Sequence, residues 1–216
     1  MISILSLFFF AFSTIFSQDF FDLNNDDHIV KTNKTWKDSI PSNMPMIKKP
    51  FWSEDGLFRK YGIAPESRYK ELILRKNMLQ SHQKIALINL GLMGYQYYLG
   101  REIDQDRAPL ILGYEKYNKY KKNHKKLGYT TFSIYMTSAG LSIFSPPALK
   151  YNDKLSSIKL HSYLSVIHFL GMSAQPWLGY QSVNSNNTDY YENLHRKTGD
   201  VIFISYLLSF LLTLLP

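Results

Sequence analysis

The stretch LGYTTFSIYMTSAGLSIFSPPAL, residues 127–149, runs for 23 positions without a charged side chain. About 20 consecutive apolar residues, at 1.5 Å each, cross a hydrocarbon slab of roughly 30 Å. Leu160 to Ser182 is a second stretch of that kind. Ile85 to Leu99 and Val201 to Pro216 are shorter and need their polar flanks to reach the same length, the former reaching back through Leu72, Leu74 and Met78. Gly100, Gly113 and the Pro146-Pro147 pair punctuate the gaps, as helix ends do. No segment alternates with period two, so no strand is expected. A soluble bundle would need a charged outer stripe on each helix, and the last three stretches carry none. The expectation is an all-α chain, with residues 68–216 forming an integral membrane four-helix bundle.

Upstream the chain changes character. Ile2 to Phe16 is uncharged and ends at Ser17-Gln18, so residues 1–17 read as a secretory signal or an uncleaved anchor. Residues 18–67 show no sustained period. Asp22-Leu-Asn-Asn-Asp-Asp27 and Ser39-Ile-Pro-Ser-Asn-Met-Pro45 mark a short irregular extracytoplasmic segment, where a partner protein can dock. Pro65-Glu66-Ser67 then opens the first long helix, with Ser67 as its cap. The eight basic residues between the first two apolar stretches, Arg101 to Lys126, put that loop in the cytoplasm by the positive-inside bias. The expected address is a plasma or inner membrane, with lipid as the first partner.

Composition narrows the chemistry. The 216 residues include no Cys, which excludes disulfides, thiolate metal sites and cysteine nucleophiles. The net charge of +8 is unevenly spread and is not a nucleic-acid signature. A mean hydropathy of −0.22 averages a polar front third with apolar stretches behind it. No phosphate-cradling glycine loop, catalytic triad or metalloprotease helix is present.

The histidines carry the chemistry that remains. His82, His124, His161, His168 and His195 lie in or at the start of the apolar stretches, where ionisable groups are costly and point to function. In four antiparallel helices, each led by one His, His82 and His161 fall near the outer face and His124 and His195 near the cytoplasmic face. The residues four places on, Ala86, Gly128, Ser165 and Gly199, share the face of each His and are all small. That leaves clearance for a flat ligand. His124-Lys-Lys-Leu-Gly128 and His195-Arg-Lys-Thr-Gly199 suggest a duplicated helix pair.

Paired imidazoles without Cys or carboxylate suit two haem b groups, each iron held by two neutral His ligands and carrying electrons. Zinc prefers three or four close ligands and copper a Met-rich set; satisfied structural histidines are the plain alternative. His168 shares a stripe with His161, Ser165, Met172 and Gln175 and is a reserve ligand, a proton carrier or a packed core histidine. Arg75, Lys76 and Lys84 flank His82 and are candidates for haem propionates or an anionic substrate. The run from Lys116 to Lys126, with Tyr114, Tyr117 and Tyr120, is an interface anchor or a docking face for an anionic electron donor.

From Arg75 to Leu215 these features resemble the cytochrome b561 transmembrane electron carriers. The likeness rests on the four leading histidines, on Leu160-His-Ser-Tyr163 with Gln175 following, and on the His-x-x-x-Gly pattern at Gly128 and Gly199. It implies two haem b groups, held by His82 with His161 and by His124 with His195, and electron transfer across a membrane between a donor and an acceptor. This chain shows four such helices where the family has six, Ser165 where a glycine is usual, and the additional His168. The alternative function is a haemless membrane scaffold or anchor subunit.

Overall fold

The computed structural model describes residues 40–103, 113–151 and 154–214. The expected signal or anchor, His28 and the first half of the irregular segment lie outside the described residues. All regular structure among the described residues is helical: α1 (Lys49–Trp52), α2 (Leu57–Lys60), α3 (Arg68–Glu102), α4 (Tyr114–Ile143), α5 (Ser157–Asn184) and α6 (Thr188–Leu212). The all-α expectation holds. Among the described residues, no helix is long and apolar enough to cross a membrane.

The long helices start well before their apolar stretches. α4 opens in the Lys- and Tyr-rich run and α6 at Thr188, with Asn187 accepting from the Tyr190 amide. Lys and Glu are good helix formers, and an asparagine cap is as effective as a serine one. His82, His124 and His195 therefore sit one to four turns inside their helices rather than at the first turn. Only His161 is close to its helix start, four residues after Ser157, where Ser156 caps by accepting from the Lys159 amide.

The chain divides into two compact units. In the first, comprising residues 40–78 and 144–151 of the described chain, one loop is held by side chains. The loop follows α4, which stops at Ile143 because Pro146 and Pro147 cannot continue a helix. Its carbonyls have no ladder to join, and five in succession are capped by donors from residues 48–75. The Trp52 indole N–H donates to the Phe144 carbonyl at 3.0 Å, Lys48 Nζ to Ser145 at 2.6 Å and Arg75 Nη1 to Pro146 at 2.7 Å. Arg68 Nη2 donates to Pro147 and Ala148, at 2.8 and 3.0 Å. Glu71, fully buried, balances this charge between Arg59 and Arg68, each 2.6 Å away. Phe51, Trp52, Phe58 and Phe144 form one cluster of edge-on and tilted ring contacts, with Trp52 buried.

The second unit, residues 79–143 and 154–214 as described, packs Leu90 and Met93 of α3, Tyr135 of α4, Met172 of α5, and Ile202 and Tyr206 of α6 into one core. The α5–α6 approach is very close: a Cβ on Gly171 would lie 2.6 Å from Ile202 Cγ1, so only glycine fits.

Burial beside Arg75 lowers the Lys48 ammonium from its ordinary 10.5 to about 7. Between those values the unfolded chain binds the extra proton, so this group's contribution to stability rises as pH climbs from about 7 to 10.5. It is lost again as pH falls back through about 7. Thermal melts across that window should show the rise in the wild type and a flatter curve in Lys48→Met; parallel curves would contradict the assignment.

Candidate haem-binding site

Four of the five histidines are positioned by cross-helix contacts that repeat. His82 Nδ1 donates to the Ser138 carbonyl at 2.9 Å, and His161 Nδ1 to the Ser209 carbonyl at 3.0 Å. A carbonyl only accepts, so both rings carry their proton on Nδ1 and present a bare Nε2 lone pair. The serine hydroxyls reinforce the arrangement, at 3.0 and 2.8 Å from the same Nδ1 atoms. A metal-binding histidine is oriented in just this way, its second nitrogen held by a backbone carbonyl.

At the other pair, His124 of α4 and His195 of α6 face one another with ring centroids 6.2 Å apart and planes at 78°. Two imidazoles on opposite sides of one metal ion stand about 6 Å apart between centroids, from metal–nitrogen bonds of ~2.0 Å and roughly 1 Å from each nitrogen to its ring centre. Nδ1 of both rings is buried without a hydrogen-bond partner, as is Oε1 of Gln96 and of Gln175. These rings line a cavity of about 580 Å³, a size typical of cofactor sites.

Glycines shape that cavity. A Cβ on Gly100 would lie 3.1 Å from His124 Cε1, and one on Gly179 would lie 3.1 Å from His195 Cε1. Gly128 and Gly199 stand in the same relation to Gln96 and Gln175, at 3.0 and 3.1 Å from the amide nitrogens. Gln96 Nε2 lies 3.2 Å from His124 Nε2, and Gln175 Nε2 donates to the His195 carbonyl at 3.2 Å. The lining carries Arg101, Lys121, Lys122, Lys125 and Arg196 against Glu192 and Asp200, with Arg101 paired to Asp200 at 2.8 Å.

These contacts follow an internal repeat. A shift of 79 residues carries His82, Ala86, Met93, Gln96 and Gly100 onto His161, Ser165, Met172, Gln175 and Gly179. A shift of 71 carries His124, Gly128, Phe132, Tyr135 and Ser138 onto His195, Gly199, Phe203, Tyr206 and Ser209. The α3–α4 and α5–α6 hairpins are two copies of one pattern, in which each His contacts a residue of its own hairpin.

Other expected positions fall elsewhere. The Ala86 carbonyl accepts from the Tyr206 hydroxyl at 3.0 Å, and Ser165 Oγ donates to the Ser162 carbonyl at 2.7 Å. Arg75 is engaged by Pro146 in the first unit, and Lys84 is exposed on α3. His168 is buried and hydrogen-bonded to Tyr135. Gln96, Gly100, Ser138, Gly179 and Ser209 escaped the motif reading, although the two fixed shifts would have found them.

The donor set fits haem b. Among the described residues no group of three or more His, Cys, Asp or Glu could hold a metal ion, whereas a haem iron asks only two ligands of the protein. The His124–His195 spacing and the glycine-lined cavity match that demand. No family model, curated protein or solved structure matches the chain.

Enlarging the glycines should block the cavity. If the cavity takes haem, Gly100→Leu and Gly179→Leu, which push into His124 and His195, should lower the haem bound per chain, whereas Gly91→Leu, whose Cβ meets nothing within 4 Å, should not. Pyridine haemochrome assays of the purified variants check this; equal haem content in all three would contradict it.

Proposed function

We propose that this protein is a membrane electron carrier whose four-helix unit holds two haem b groups between paired histidines, as its resemblance to the cytochrome b561 family implies. The observation that carries the reading is the His124–His195 pair, 6.2 Å apart across a glycine-lined cavity. Haem b would supply a one-electron ferric–ferrous couple, and each group would be held by two imidazoles of the chain. His124 and His195 hold one group. His82 and His161 hold the other through Nε2, while the Ser138 and Ser209 carbonyls keep each Nδ1 proton in place and the ring basic. Lys121, Lys125 and Arg196 in the cavity lining offer charge to propionates or to an anionic donor.

The distribution of polarity supports the membrane setting. Asn89, Thr131, Ser138, His168 and Ser209 are buried, while Ile88, Val166, Leu170, Val183, Val201 and Ile204 are each more than half exposed. Polar groups turned inward and aliphatic ones outward suit a solvent of lipid. The charged first turns of α3, α4 and α6 lower the mean hydropathy of those helices. Exposed hydroxyls on the long helices are satisfied internally. Thr130, Ser133 and Thr137 of α4, and Ser162 and Ser173 of α5, each donate to the carbonyl four residues back, as a surface without water requires.

The test is a dithionite-reduced minus oxidised spectrum of detergent-purified protein from haem-replete cells. The expected result is a low-spin b-type band and two haems per chain, falling to one in His195→Ala and in His161→Ala. A chain without a haem band would refute the proposal and leave the scaffold reading.

A further inference from the structure

The two hairpins match at the four paired histidines and at Gln96/Gln175, Tyr135/Tyr206 and Ser138/Ser209, yet one ionisable position has no mate. The 79-residue shift places Asn89 of α3 opposite His168 of α5. Both are buried, Asn89 completely and His168 to 6% exposure. Because the other hairpin does without it, His168 is not part of the pattern that pairs the remaining four histidines.

His168 is embedded in tyrosine. The Tyr135 hydroxyl lies 2.6 Å from its Nδ1, and the Tyr206 ring stands edge-on at 5.0 Å between centroids. These two tyrosines are themselves repeat mates. On the other side of the repeat, Asn89 packs against Tyr206, and neither polar atom of its carboxamide has a well-formed hydrogen bond. A buried amide left in that state costs stability. A hydrogen-bonding species beside it, such as a water molecule, would recover most of that. The layer lies one helical turn from the cavity, since Thr131 and Met172 line the cavity and precede Tyr135 or follow His168 by four residues. The Thr131 hydroxyl is also buried without a partner.

We infer that the Tyr135–His168 pair is a proton site coupled to the electron that the four-helix unit carries. This rests on the haem reading above. A haem held in the unit would take one electron from an external one-electron donor and make the unit one charge more negative; one proton from bulk water, passing by Thr131, would add to the His168 lone pair and cancel that charge. Tyr135 stays bonded in both states because a phenol hydroxyl donates to a bare ring nitrogen and accepts from a protonated one. The titratable groups that face His168 are Tyr135 of α4, Tyr206 of α6 and, at longer range, His82 of α3 and His161 on its own helix. None carries a fixed charge that would hold the site in one state.

The experiment is spectroelectrochemical titration of the full chain between pH 6 and pH 9. In the wild type the midpoint potential of one haem should fall with rising pH, approaching about 59 mV for each tenfold drop in proton concentration. His168→Asn copies the residue that the other hairpin already has, and should keep both haems while flattening that dependence. Tyr135→Phe should shift the pH window and keep the slope. Unchanged slope in His168→Asn, or a pH-independent potential in the wild type, would overturn the inference while leaving the haem reading intact. Loss of a haem in His168→Asn would overturn it too, by making His168 a ligand. A wild-type chain with no haem band would overturn both.

Discussion

An imidazole buried between helices must have both ring nitrogens answered, and that constraint organises the second unit. His82 and His161 answer one nitrogen with a backbone carbonyl across their own hairpin, which fixes the proton on Nδ1 and leaves Nε2 bare. His124 and His195 leave Nδ1 unanswered inside a cavity. In a low-dielectric interior an unanswered nitrogen is expensive. The cavity has room for a group that answers these nitrogens, and under the haem proposal that group lies between two rings 6.2 Å apart.

The repeat makes the arrangement economical. One hairpin supplies a leading His, a Gln fourteen residues on and a Gly four beyond that; its second helix supplies a His, a Gly and, fourteen residues after the His, a Ser. Two copies give four histidines with four positioning contacts. The Tyr135–His168 contact has no such copy, since Asn89 takes the place of His168 in the first hairpin. The first unit serves a separate need. The Pro146-Pro147 loop has carbonyls with no helix to receive them, and Trp52, Lys48, Arg68 and Arg75 cap five in a row.

Much of this was legible in the sequence. Charge-free stretches of helical length announced an all-α chain, and histidines in those stretches named the candidate site. The helix starts were less visible, because Lys-, Tyr- and Asp-containing turns form helix as readily as apolar ones and carry no break in pattern. Arg75 was placed with the histidines by proximity along the chain, whereas its guanidinium reaches a loop carbonyl 71 residues away. The glycines that face His124 and His195 come from neighbouring helices, so the i+4 rule led to Gly128 and Gly199 and missed Gly100 and Gly179. A comparison of the chain with itself at fixed offsets would have recovered them, since contacts that repeat across a duplication leave their spacing in the sequence.

The central claim is that imidazole pairs, not imidazole and water, fill the axial positions of iron in this chain. Electron paramagnetic resonance of the oxidised, detergent-purified protein tests it most directly. The account predicts low-spin ferric signals alone, strongly anisotropic for the pair whose ring planes stand at 78°. A dominant high-spin ferric signal, or no ferric haem signal in haem-replete protein, would contradict it.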